Sequence, residues 1–201
     1  MKRVILVASG QYFDEYNWCD DDFIVAIDGG YDHLVNANIK PHLLVGDFDS
    51  ISGDIPDDVE VLSLPQEKDD TDSFFAIKEC IKRGYKNFEL YGFLGNQLSH
   101  TIANIQLFLF LKKQGINFKA FYQKQIFQVL HLETIDLTGQ GFFSIFSLVD
   151  SSFLSIKNCK YQVDNLKMTN DYPIGIDNEF IPNKKASITC HQGYLLLIYN
   201  N

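Results

Sequence analysis

Arginine is scarce in this sequence: Arg3 and Arg83 are the only two in 201 residues. Positive charge is outnumbered overall, and the formal net charge of -9 argues against a nonspecific nucleic-acid binder or a protein that coats anionic membranes. No apolar run approaches the ~20 residues that span a bilayer. The N-terminal run Val4–Ala8 is too short for the apolar core of a signal peptide and meets Ser9-Gly10-Gln11 directly, so a cytoplasmic location is expected. Cys19, Cys80, Cys159 and Cys190 form no C-x-x-C pair. A zinc site therefore has no support, and reduced thiols are expected.

What is present describes an ordinary globular chain, 46% hydrophobic and 21% charged, long enough for one domain or for one with a small second domain. The acids are unevenly placed. Residues 14–72 hold 17 Asp and Glu against Lys40 and Lys68, a balance of -15; the remaining 9 acids and 15 bases give +6, and the two sum to -9. A stretch this acidic is either a solvated face or a place that holds cations.

Short apolar runs bounded by Gly or Pro read as strands buried on both faces: Val4–Ala8, Phe23–Ile27, Leu43–Val45, Val59–Leu64 and Phe88–Tyr91. Between the last two, Thr71 is the expected N-cap of a helix through Arg83, with Gly84 as its stop and Phe74, Phe75, Ile77, Cys80 and Ile81 as its apolar stripe. A second helix is expected from a Ser99 cap to Gln114, burying Ile102, Ile105, Leu109 and Leu111. This alternation predicts an α/β fold with a mostly parallel sheet and helices on its faces. From about Gln125 the texture changes to strand-like runs separated by turns, such as Thr138-Gly139-Gln140-Gly141, and a small antiparallel β domain is expected. The expected division is an α/β domain over 1–128 and a β domain over 129–201.

Three acidic clusters end predicted strands or the loops after them: Asp28-Gly29-Gly30, Gly46-Asp47-Phe48-Asp49-Ser50 and Lys68-Asp69-Asp70-Thr71-Asp72. In an open parallel sheet, ligands sit outside the carboxyl ends of the strands, so the clusters gather on one edge. Two carboxylates about 5 Å apart repel by roughly 3 kcal/mol at an effective dielectric near 20, so several together need a cation or a proton. Mg²⁺ suits them because it takes carboxylate oxygens and keeps positions open for phosphate. Asp and Gly are also common in turns, and any one cluster alone reads as a turn. Lys68 is a mobile point charge suited to a phosphate oxygen, though taken alone it reads better as a surface lysine balancing Asp69 and Asp70. The glycine-containing loop Gly92–His100, with Gly95, Gln97 and His100, suits a nucleotide.

In order, these motifs are D-G-G, P-x-x-x-V-G-D-F-D-S, E-K-D-x-T-D, and a G-x-x-G-x-x-x-x-H loop entering a helix with Asn104-Ile105. Together they resemble the thiamine pyrophosphokinase family, and Gly175-Ile176-Asp177-Asn178-Glu179 resembles its G-I-S-N-E segment. The resemblance implies an α/β catalytic domain followed by a β-sandwich, working as a homodimer. It implies transfer of diphosphate from ATP to the hydroxyethyl oxygen of thiamine, giving thiamine diphosphate and AMP. By position, Asp47, Asp49 and Asp72 would surround Mg²⁺ and the ATP phosphates, with Asp72 also near the thiamine hydroxyl as the proton acceptor. Asp28, Gly29 and Gly30 would line the ATP site, with Gly95, Gln97 and His100 in its loop. Lys68 and Asp69 would lie near the phosphates and acceptor. Asn178, beside Asp177, would help hold thiamine. Neither nucleic acid nor membrane is an expected partner.

The chain departs from the family's usual G-G-R-x-D-H loop, carrying Gln97 and Ser99 where arginine and aspartate are usual, and Asp177 where serine is usual. Two alternatives follow: a related diphosphokinase acting on another heterocyclic alcohol such as a hydroxymethylpterin, or a catalytically weakened nucleotide- or thiamine-binding homologue.

Overall fold

The apolar runs at the start of the chain lie at the centre of a parallel sheet. The computed structural model describes residues 2–11, 18–48, 51, 55–65, 70–95 and 97–200. Two compact units divide the chain: residues 1–107 with 114–123, and residues 108–113 with 124–201.

In the first unit, β1 (Val4–Val7) and β2 (Phe23–Ile27) are followed by α1 (Gly30–Asn36), β3 (Leu43–Gly46) and β4 (Glu60–Ser63). Then come α2 (Asp72–Lys82), β5 (Asn87–Tyr91), α3 (Leu98–Lys113) and β6 (Asn117–Tyr122). The strand order is β6-β5-β1-β2-β3-β4, and every pairing is parallel. All four residues of β1 and of β3 are buried, as expected of central strands covered on both faces. Ile5, Val7, Ala26, Leu34, Leu44 and Tyr91 form one core cluster of this unit.

Helix α2 keeps its expected limits. The Thr71 hydroxyl accepts from the Phe74 N–H at 3.2 Å, and Gly84 follows the helix with φ +88°. Ala76, Ile77 and Cys80 are its buried positions, while Phe74, Phe75 and Ile81 are half-buried. Helix α3 differs from expectation. It begins at Leu98, so Ser99 lies in its first turn rather than capping it. Ile102 is 52% exposed and Leu98 75% exposed; Leu107, Phe108 and Leu111 are the buried positions. The helix is apolar on nearly all sides, so periodicity could not say which side faces the core.

The second unit holds β7 (Gln125–Leu130), β8 (Thr134–Leu137), β9 (Phe142–Ser147), β10 (Ser152–Lys157), β11 (Val163–Met168), β12 (Asn178–Glu179), β13 (Ala186–Gln192) and β14 (Leu195–Asn200). Its strands run in two orders, β12-β9-β14-β7 and β11-β10-β13-β8, with antiparallel pairings. Alternating buried residues such as Phe143 and Ile145 of β9, and Ala186, Ile188 and Cys190 of β13, are the inward faces of these sheets. No helix among the described residues is long and apolar enough to cross a membrane.

Candidate active site

The carboxyl ends of β2 and β3 bring two of the acidic motifs together. The β2–β3 register pairs Ile27 with Val45, and the Asp28 N–H continues it to the Val45 carbonyl at 3.0 Å. Asp28 therefore lies alongside Gly46, and its Oδ1 is the atom that a side chain on Gly46 would strike first. Asp28 leaves the strand with φ +47°, and its carbonyl accepts from the Tyr31 N–H to start α1. From β3 the chain passes through Asp47 to Phe48, whose φ is +67°. A bulky residue in that region costs conformational energy. Packing of the Phe48 ring against the core cluster that includes Tyr31 and Tyr91 offsets it and fixes the loop that carries Asp47.

Helix α2 supplies the third acid. Asp72 is its first residue, held by the Thr71 cap. The side chain of Asp72 hydrogen-bonds that of Asp28, and the Asp47 backbone N–H donates to Asp28. Two carboxyl groups bond to each other only through a proton, and the Asp28 pKa is pushed up to about 6. Burial is the largest cause, followed by the negative charges of Asp72 and Asp47. Asp28 Oδ1 is buried and accepts no hydrogen bond among the described residues. Three acids this close share a proton or, once it is lost, need a cation to offset their charge. The donors are all hard oxygens, which fits Mg²⁺ and not a soft metal. Among the described residues no group of three His, Cys, Asp or Glu is placed to hold a metal ion. Asp49, Lys68 and Asp69, the other residues expected here, lie outside the described residues, as do Ser50 and Asn96.

The other expected positions fall as follows. Gly30 packs so tightly on the Val7 carbonyl that a side chain would overlap it, which gives this glycine a packing reason beside any ligand role. Gly29 precedes α1, which has only seven residues. The loop after β5 is sewn to the end of β1 by Gly10 N–H to Gly92 O at 2.8 Å and Gln11 N–H to Leu94 O at 3.1 Å. The Asn104 amide donates to the Phe93 carbonyl at 2.6 Å, tying α3 to the same loop. Gly95 lies directly under the Tyr122 ring, a contact no local motif signalled. Gln97, Ser99 and His100 are exposed.

In the second unit, Asp177 is exposed with φ +55°, and its N–H donates to the Ser144 hydroxyl at 3.1 Å. Asn178 is 7% exposed, and its amide is occupied by backbone. Oδ1 accepts from the N–H groups of Tyr161 and Glu179 at 3.1 and 2.9 Å, and Nδ2 donates to the Tyr161 carbonyl at 2.9 Å. Asn178 thus clamps the turn that carries the 59% exposed Tyr161. Sequence reading found Asn178 but missed Tyr161, which is 17 residues away and is joined to it only by the fold.

The sequence profile of the thiamin pyrophosphokinase catalytic domain matches residues 15–120. The thiamine pyrophosphokinase of Bacillus subtilis (strain 168) is 25% identical over 217 aligned positions, covering 98% of both chains. The crystal structure of a thiamine pyrophosphokinase from Bacillus subtilis superposes with a TM-score of 0.89 at 23% identity, covering 100% of this chain and 99% of that one. A family protein from Enterococcus faecalis superposes at 0.84 with 25% identity and the same coverage. With the profile covering more than half of its length, the chain belongs to the thiamin pyrophosphokinase family.

Proposed function

We propose that this chain transfers the diphosphate group of ATP to the hydroxyethyl oxygen of thiamine, giving thiamine diphosphate and AMP. The observation that carries the proposal is the meeting of Asp28 and Asp47, at the carboxyl ends of β2 and β3, with Asp72 at the start of α2. Asp47 and Asp72, with Asp28 beside them and Asp49 in the same motif, would hold Mg²⁺. When bound, the ion neutralises phosphate charge that these acids would otherwise repel. Asp72 is assigned the proton of the thiamine hydroxyl as its oxygen bonds to the β-phosphorus and the bond from that phosphorus to the α-phosphate oxygen breaks, releasing AMP. Lys68 and Asp69 are assigned to the phosphates and acceptor, and the loop carrying Gly95, Gln97 and His100 to the nucleotide.

The thiazolium ring of thiamine is cationic, so an acidic or aromatic surface suits it. Asp177 and Tyr161 are both exposed and of that character, and Asn178 acts by holding Tyr161 in place. Family membership supports a homodimer as the working form.

Incubation with ATP, Mg²⁺ and thiamine tests the proposal by chromatography of AMP and thiamine diphosphate. Asp72→Asn should abolish both products while leaving the unfolding transition unchanged. AMP formation only with another alcohol, such as a hydroxymethylpterin, would overturn thiamine as the acceptor.

A further inference from the structure

The second unit contains a cavity of about 710 Å³. That volume lies in the range of small-molecule sites. Its lining includes Lys124, Lys184, Thr138, Gln140, Asn183 and Asn200, with no carboxylate among them. The chemistry of this wall is the reverse of the acidic cluster: two ammonium groups, three side-chain amides and a hydroxyl. Neither lysine has a carboxylate partner among the described residues, a state they share with Lys113, Lys157, Lys167 and Lys185 of the same unit. An unpaired cation in a chain of net charge -9 has many acids to choose from. Two of them at one cavity whose described lining holds no acid create a local positive potential.

The cavity walls are built by specific backbone features. Ile181-Pro182-Asn183-Lys184 closes a turn through the Lys184 N–H and the Ile181 carbonyl at 3.1 Å. Proline sits at the second position, and Asn183 at the third has φ +62°, the pattern of a type II turn. This turn sets Asn183 and Lys184 at the cavity. Gly139, also in the lining, lies against the Phe180 ring, where a Cβ would come within 2.7 Å of the ring edge. Any larger residue would lift the Thr138–Gln140 loop away from its seat.

We propose that this cavity binds a phosphorylated small molecule, the two lysines meeting the phosphate charge and the amides meeting its oxygens or a polar body attached to it. Ammonium groups serve as mobile point charges for phosphate, and amide N–H groups add neutral donors. The proposal concerns the lysine-lined cavity alone and stands whether or not thiamine proves to be the acceptor.

The test is titration calorimetry of the full chain in EDTA. Without a divalent cation the acidic cluster repels phosphate, and comparison with a variant lacking both cavity lysines separates their binding from that of Lys68 and the nucleotide loop. Inorganic diphosphate should bind the native protein, more weakly as salt rises. Lys124→Gln with Lys184→Gln should weaken binding by about tenfold or more. The unfolding temperature of this double variant should match the native one, since both side chains are exposed. Thiamine diphosphate and ATP form the other arms. Either one binding more tightly than inorganic diphosphate supports the proposal and identifies an organic phosphate as occupant; equal affinities support it with the phosphate alone as ligand. Absence of binding in EDTA, or binding that the double variant leaves undiminished, overturns it. AMP formation with Mg²⁺ and thiamine, measured separately, decides the proposed activity and is not read by this titration.

Discussion

The carboxylate of Asp28 occupies the space that a side chain on Gly46 would fill. Gly46 has φ +155°, and its missing Cβ is what lets the Asp28 Oδ1 sit buried at the carboxyl end of the sheet. Gly46→Ala should therefore displace Asp28 from Asp47 and Asp72. The expected result is loss of turnover by about a hundredfold or more, as follows when charged groups that neutralise transferring phosphates are misplaced. Gly84→Ala is the control. Gly84 also has positive φ, +88°, but nothing lies within 4 Å of its added Cβ. That variant should lose about 1 kcal/mol of stability through backbone conformation and keep its kcat. Equal loss of activity in both would show that the Asp28–Gly46 contact is not special.

The positions of Asp28, Asp47 and Asp72 were legible in sequence because each ends a strand or starts a helix with strong local signals, such as the Thr71 cap. The contact between Asp28 and Gly46 was not, because it depends on the register of β2 against β3. Strands β6, β8 and β11 escaped notice for a related reason. Polar residues interrupt their apolar ones, as in Thr134-Ile135-Asp136-Leu137 and Val163-Asp164-Asn165-Leu166-Lys167-Met168, so no continuous apolar run marks them. Ile102 was misjudged because α3 offers apolar residues to every side.

Gln97 is exposed and uncharged at the position where the family's loop usually has arginine. An arginine that stabilises phosphoryl transfer is worth about 10³–10⁵ in rate where it is fully engaged. Gln97→Arg should raise kcat, by about tenfold in a loop not otherwise shaped for it. Steady-state kinetics with saturating thiamine and ATP would check this. An unchanged kcat would mean that the loop does not need the charge.

Acid should weaken the first unit through Asp22. Arg3 donates to both Asp22 oxygens, at 3.0 and 2.5 Å, and to Glu89 at 2.8 Å. The Arg3 hydrogen bonds hold the Asp22 carboxyl below the usual carboxylate range. A depressed folded-state pKa means that the stabilisation is fully present above the unfolded Asp value of about 3.9 and is lost as pH falls through the lower folded value. Asp22→Asn should cost about 1.5–3 kcal/mol at pH 7 and flatten the loss of stability below about pH 4. Urea unfolding at pH 7, 4 and 2.5 measures both effects, and a parallel pH profile in the variant would remove Asp22 as the cause.

The thiols should differ sharply in reactivity. Burial pushes the Cys80 thiol up to about 12 and raises those of Cys159 and Cys190 as well, while Cys19 is exposed. Because the thiolate is the reacting form, iodoacetamide at neutral pH should add one group to the folded protein, at Cys19, and four after denaturation. Mass spectrometry counts the groups; rapid labelling of Cys80 in the folded state would contradict its burial.

Asn178 separates a positioning role from a direct contact. Its amide makes three hydrogen bonds to the backbone of Tyr161 and Glu179. Asn178→Ala leaves those groups unpaired and should cost about 2–3 kcal/mol at roughly 1 kcal/mol per bond. Asn178→Asp sets a buried carboxylate oxygen against the Tyr161 carbonyl that Nδ2 now serves at 2.9 Å, so at neutral pH it should cost at least as much as Asn178→Ala. A residue that serves thiamine by holding Tyr161 should change KM for thiamine when replaced, and leave KM for ATP alone. Tyr161→Ala should then raise the thiamine KM to a similar degree with little loss of stability, because that ring is mostly exposed. The double variant should be no worse in thiamine KM than Asn178→Ala, since two residues acting as one unit are not additive. Independent, multiplying effects would instead assign Asn178 its own contact with the substrate.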